Sequence, residues 1–166
     1  MTASLWEFAL EFYGRPGVSA ACLTLQDEAG IDVIEMIVAI YADCHGEPLD
    51  REGILELRQK MAVWRQSVVV PLRSVRRFLR APLAEHEGEK EKLRALVKGV
   101  ELEAEKLQLA LAENWLQRRE ARDGSPLRQV MTDMLNPSSV EGDLPALVEK
   151  AIATLLAARA SANVTG

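Results

Sequence analysis

Asp32-Val33-Ile34-Glu35-Met36-Ile37-Val38-Ala39-Ile40-Tyr41-Ala42-Asp43-Cys44-His45-Gly46 is the stretch on which the fold turns. Asp32 followed three residues later by Glu35 is the pattern of a capping box, in which side chains satisfy the free N–H groups of a helix start. Val33, Ile34, Met36, Ile37, Val38, Ile40 and Tyr41 then make the segment apolar almost all round. A helix of that kind lies among other helices, not on a surface. Gly46 supplies the stop. The sequence therefore predicts a central helix from Val33 to His45 inside an all-α fold.

Helix signals extend from it in both directions. Ser4 and Glu7 form a second capping box, ahead of Leu5, Phe8, Ala9, Phe12 and Tyr13 at three- and four-residue spacing. Gly14 ends that helix, and Val18 to Ala29 reads as the next, closed by Gly30. Downstream, Asp50 caps a helix carrying Ile54, Leu57, Met61 and Trp64. The trio Val68, Val69, Val70 then meets Pro71, where a kink or break is expected because proline disfavours helical geometry at the residue before it. A strand there has no partner in sequence. Leu72 to Leu79 resumes as a helix that stops near Ala81-Pro82.

From His86 to Arg122 there is no proline, and Gly99 is the only glycine in the middle of the run, Gly88 standing near its start. Leu93, Val97, Val100, Ala104, Leu107 and Leu111 recur at 4-3-4-3-4 spacing, a seam for packing against other helices. A helix of ~36 residues would be about 54 Å long, against a radius of gyration of about 15 Å for a compact domain of this size. It either breaks, near Gly99 or after Ala112, or its end packs on another subunit. Asp123-Gly124 is a turn, Ser125-Pro126 starts a short helix to Leu135, and Asn136 to Ser139 is a loop. Asp143, Leu144 and Pro145 open a last helix through Leu156. The expected architecture is a single helical bundle of about seven to eight helices over residues 1–160, with one long spine helix and a flexible tail over 161–166.

The chain has 166 residues, 48% hydrophobic and 27% charged, enough for a real core. Two cysteines exclude a disulfide framework and a zinc-finger framework. Cys22 and Cys44 both fall in apolar helical stretches and are expected as packed free thiols. Glu7 stands where a secretory leader carries lysine or arginine. No apolar run approaches the ~18–20 residues of a membrane span. A cytoplasmic location is expected.

Trp6-Glu-Phe8-Ala-Leu-Glu-Phe12-Tyr13, Arg15-Pro16-Gly17-Val18, Ala21-Cys22-Leu23, Leu25-Gln26-Asp27 and Gly30-Ile-Asp32-Val33 resemble a proteobacterial family of short proteins of unknown function. Trp64-Arg65, Val68-Val69, Pro71-Leu72-Arg73, Val75-Arg76-Arg77 and Glu101-Leu-Glu103-Ala-Glu105 extend the resemblance to about residue 110. It supports the helical fold and carries no activity with it.

The net charge of −5 conceals an uneven map. Residues 1–56 hold eleven acids against Arg15 and Arg51, net −9. Residues 57–84 hold seven bases and no acid, net +7, and residues 85–166 return −3. Arg73, Arg76, Arg77 and Arg80 fall at i, i+3, i+4 and i+7, which puts four guanidinium groups on one helical face. Leu72, Val75 and Leu79 form the opposite face, expected to be buried. Four arginines together suit carboxylate or phosphate. They serve either an external anion or acidic partner, or this chain's own acids, such as Asp27, Glu28, Asp32, Glu101 and Glu105. Nucleic acid is disfavoured, because Phe78 alone among the aromatics interleaves the arginines.

Catalytic chemistry finds no motif: there is no Gly-x-Ser-x-Gly, no phosphate loop, and only His45 and His86 to choose a base from. No Glu-x-x-His pair exists for a di-metal site. The Asp43, Cys44, His45, Glu47 cluster reads as a helix end complemented by histidine, with no metal or cofactor expected. Trp115 with Arg118 and Arg119 is a candidate interface, since tryptophan and arginine are enriched at contact hot spots. A non-enzymatic module that binds a protein partner or itself is the leading expectation. The alternative is a binder of a phosphorylated small molecule or nucleic acid through Arg73, Arg76, Arg77 and Arg80. A small enzyme using Asp27, Asp32 and the arginines on a phosphorylated substrate is the third.

Overall fold

The computed structural model describes residues 4–120, 122–135 and 145–162. The described residues form α1 (Leu5–Tyr13), α2 (Val18–Ala29), α3 (Val33–Cys44), α4 (Arg51–Trp64), α5 (Val70–Phe78), α6 (Glu87–Arg118), α7 (Leu127–Met134) and α8 (Ala146–Ala162), with no strand among them. None of these helices is long and apolar enough to cross a membrane. The expected loop at Asn136–Ser139, the opening residues Asp143 and Leu144, and positions 163–166 lie outside the described residues. Ser161 and Ala162 still belong to α8.

Local capping chemistry sets most boundaries. The Ser4 hydroxyl accepts from the Glu7 N–H at 3.3 Å, and the Glu7 carboxylate accepts from the Ser4 N–H at 2.9 Å. Asp32 accepts from the N–H groups of Ile34 and Glu35, and Asp50 from that of Gly53. Gly30 ends α2 at φ 67°, a left-handed conformation that glycine adopts without steric penalty. The expected box at Asp32 is only half formed. Glu35 does not return to the backbone; its buried carboxylate accepts from Arg58 Nε at 2.7 Å. Arg58 also donates to the Met134 carbonyl at 3.2 Å and so ties α4 to both α3 and α7.

α3 is the centre, as its composition requires. Met36, Ile37, Val38, Ala39, Ile40 and Ala42 are all buried, and the helix packs against α1, α2, α4, α6, α7 and α8. α2 and α8 lie against one another along their length. The loop after α6 is held to the loop before α4 by the Ser125 N–H on the Leu49 carbonyl at 3.0 Å. Gly124 is needed there, because a Cβ would run into the Pro48 carbonyl.

At Pro71 the chain neither breaks nor forms a strand. Residues Arg65–Val69 make a π-turn, and α4 runs on through it into α5. Widening the helix accommodates a residue that has no N–H and whose ring would collide with the preceding turn. α4 and α5 together are about 40 Å long. They pair with α6, which is 32 residues, hence about 48 Å. Gly99 does not interrupt α6.

The distal half of this hairpin, α5 with the first half of α6, stands away from the bundle. α5 packs on α6 and carries no fully buried residue. Two expectations are corrected here. Val75, on the face expected to be buried, is exposed, and Leu72 and Leu79 are only half-buried. The seam of α6 is mostly bare too: Leu93, Val100, Leu107 and Leu111 are exposed, and only Ala104 is buried. The buried side of α6 runs instead through Glu101, Ala104, Gln108, Leu109, Ala112 and Leu116. The cause is geometric: two paired helices bury only the facing strip of each, and no third layer covers the seam.

Truncating the centre of α3 tests this core. Ile40→Ala is expected to cost about 2–5 kcal/mol in urea unfolding, since Ile40 is fully buried. A cost below about 1 kcal/mol, typical of a surface site, would contradict the placement.

Candidate functional site

Arg73 and Arg76 of α5 meet two carboxylates one turn apart on α6. Arg73 donates through Nε to Glu101 at 3.3 Å and through Nη2 to Glu105 at 2.7 Å. Arg76 grips Glu101 with both Nε and Nη2, the latter at 3.2 Å. Nearer the bundle, Arg65 pairs with Asp32 and Arg58 with Glu35. Four of the seven bases in residues 57–84 are thus paired inside the fold. At the tip, the buried Lys90 ammonium donates to the Ala81 carbonyl at 3.0 Å and to Glu87 at 2.5 Å, which closes the hairpin. Trp64 Nε1 donates to the Ala104 carbonyl at 2.9 Å and pins α4 to the middle of α6.

Arg77 and Arg80 differ from Arg73 and Arg76. Neither has an ion pair among the described residues, and both are exposed. They line a cleft of about 660 Å³ between α2 and the hairpin, together with Arg73, Arg76 and Lys98. Asp27, Glu101 and Glu105 line it as well. A second cavity of about 280 Å³ adjoins it, walled by Trp6, Leu10, Ile34 and Leu109; the two share Gln26, Arg73, Leu102 and Glu105.

The charges in the cleft are strongly conditioned by one another. Burial opposes ionisation of Glu101, but hydrogen bonds from Arg76 and Arg73 outweigh it and hold its carboxyl below the ordinary range. At Glu105 burial prevails over the single Arg73 contact, and its carboxyl is pushed up. Burial raises the hydroxyl of Tyr13, which lines the apolar cavity, to about 12, and it raises the buried Cys22 thiol, hydrogen-bonded to Tyr13, to about 11. His45 and His86 line neither cavity.

The remaining sequence candidates have structural occupations. Asp32 caps α3 and pairs with Arg65. Asp43 pairs with Arg159 across to α8, and His45 Nδ1 lies 2.8 Å from the Tyr41 carbonyl. No group of three or more His, Cys, Asp or Glu among the described residues is placed to hold a metal ion. Cys22 and Cys44 are both free thiols. Trp115 packs on the core with the Arg119 guanidinium 5.6 Å over its ring, and Arg118 is exposed beside them.

Lys98 and the apolar cavity were not among the residues the sequence singled out. Lys98 stands four residues before Leu102 and seven before Glu105, so the helical spacing contained the signal. The cavity brings α1, α3 and α6 together, and no local pattern announces it.

The chain matches, over residues 4–112, the family described as protein of unknown function (DUF2390), and it belongs to that family. No curated protein and no solved structure matches it. The matched span runs from α1 to Ala112 of α6, so it contains the whole arginine–glutamate ladder and every residue that lines the cleft. α7 and α8 lie beyond it.

Glu101→Gln tests the ladder. It is expected to lower stability at pH 7 by about 1–3 kcal/mol, as loss of charge-assisted hydrogen bonds does. Since the folded carboxyl titrates below its ordinary 4.5, its contribution is present above that pH and is lost as the pH falls through the folded value. Urea unfolding of the wild type and the variant should therefore converge progressively as the solution is acidified below the ordinary carboxylate range. An undiminished gap at pH 3 would contradict the ladder.

Proposed function

We propose that this member of the family is a non-enzymatic, protein-binding module that docks a helical partner on the apolar side of its projecting hairpin, the simplest partner being a second copy of itself. The observation that carries the reading is the bare seam. Leu93, Leu96, Val100, Leu107 and Leu111 lie along one side of α6, and Leu96 is 69% exposed. On α5, Val75 and Phe78 face away from the arginines, with Phe78 79% exposed. Exposed apolar side chains in this number, with charged residues around them, support an interaction surface over an ordinary solvated face.

The spacing indicates what would cover it. Residues repeating at three and four along a straight helix are met by the knobs of another helix. Two hairpins laid seam to seam would form a four-helix arrangement about a two-fold axis, a closed solution that leaves no apolar side in water. Arg118 follows Leu111 by seven residues, and Trp115 follows it by four. That register extends the proposed contact to the far end of α6. Free thiols at Cys22 and Cys44 fit a cytoplasmic setting.

The reading predicts a dimer whose population falls on dilution in light scattering and sedimentation. Phe78→Asp with Leu96→Asp is expected to weaken association by roughly a hundredfold or more, because a buried unpaired carboxylate costs several kcal/mol. Helical content should not change. A strictly monomeric wild type that captures no helical partner would overturn it.

A further inference from the structure

We infer that the cleft between α2 and the hairpin binds a phosphate monoester with an apolar organic part, its phosphoryl group held by Arg77, Arg80 and Lys98 and its organic part lying over Leu102 toward Trp6 and Leu10. This site is on the opposite side of the hairpin from the proposed docking face, and either can fail without the other.

Unclaimed cations are the first ground. Arg77, Arg80 and Lys98 share the wall of one cleft and have no ion pair among the described residues. Arg73 and Arg76 add to them. Both are already oriented by Glu101, and neither uses its Nη1 in a hydrogen bond among the described residues. A guanidinium fixed in advance loses less freedom when a ligand arrives.

Charge balance is the second. Five cations against Asp27, Glu101 and Glu105 leave the cleft at +2. A phosphate monoester carries about −1.5 to −2 at neutral pH and presents three strong acceptor oxygens. A carboxylate would leave the cleft under-neutralised. Glu101 and Glu105 occupy the inner side of Arg73 and Arg76, so the phosphoryl group approaches from the outer side, where Arg77, Arg80 and Lys98 stand.

Shape is the third. At about 660 Å³ the cleft is far larger than a phosphate, and it shares Leu102 and Arg73 with the neighbouring apolar cavity of about 280 Å³. Sites of this size that set apolar walls beside a few polar groups suit small organic ligands. The join between the cationic and apolar parts calls for a ligand that carries both characters.

Calorimetric titration of the full chain with inorganic phosphate, 1-naphthyl phosphate and 1-naphthol tests the inference. Naphthyl phosphate should bind about tenfold or more tighter than either of the others, with an affinity that falls as salt is added. Arg77→Glu with Arg80→Glu should weaken it by roughly tenfold or more, the size expected for loss of charge-assisted contacts, at an unchanged thermal midpoint. If the double variant melts early, Lys98→Gln replaces it and the same loss is expected. Absence of binding by naphthyl phosphate, equal binding of inorganic phosphate, or an affinity untouched in the folded variant would each overturn the inference.

Discussion

Of the seven positive charges between Arg58 and Arg80, with no acid among them, four are neutralised by acids from elsewhere in the chain, and the placement of the hairpin follows from how that is done. Asp32 and Glu35 at the start of α3 take Arg65 and Arg58; Glu101 and Glu105 on α6 take Arg73 and Arg76. The first two pairs fasten α4 to the central helix. The second two fix the register of α5 against α6. Half-buried pairs of this kind add little net stability, but removing one partner leaves a charge with nothing to offset its desolvation. The ladder therefore specifies one arrangement of the hairpin more than it strengthens it.

That arrangement divides the hairpin into unlike sides. With Arg73 and Arg76 turned toward α6, Arg77 and Arg80 flank the cleft opposite α2. Val75 and Phe78 are left on the far side with Leu93, Leu96 and Val100. A helix pair this long cannot bury both of its broad faces by itself. One side faces α2 across the cleft and carries its own ion pairs, and the other is left bare. The cleft's surplus charge and the seam's surplus apolar surface thus have a common origin.

Much of the fold was legible because helix caps are local. Ser4–Glu7, Asp32, Asp50 and Gly30 act within four residues of themselves, and the helices they bound lie where the sequence places them. Glu35 shows the limit. Its position three residues after Asp32 satisfies the capping pattern, yet burial beside Arg58 gives it a different partner. The arginine face was legible as a face. Which of the nearby acids would serve it depended on the α5–α6 register, and Asp27 and Glu28 were equally plausible by composition. The seam was the opposite case. Its spacing was read correctly as apolar periodicity, but periodicity does not say whether the same chain supplies the cover. Only Ala104 along it is buried.

A hairpin held by a ladder on one side and bare on the other should be the least protected long element of the isolated chain, and the first to gain protection under the proposed association. Backbone amide exchange over residues 70–100, followed through a dilution series, measures this directly. At the lowest concentration these amides should exchange well before those of α3, and protection over residues 93–100 should rise with concentration while α3 stays constant. Protection in the hairpin equal to that of α3 at every concentration would contradict it, since the seam would then need no cover.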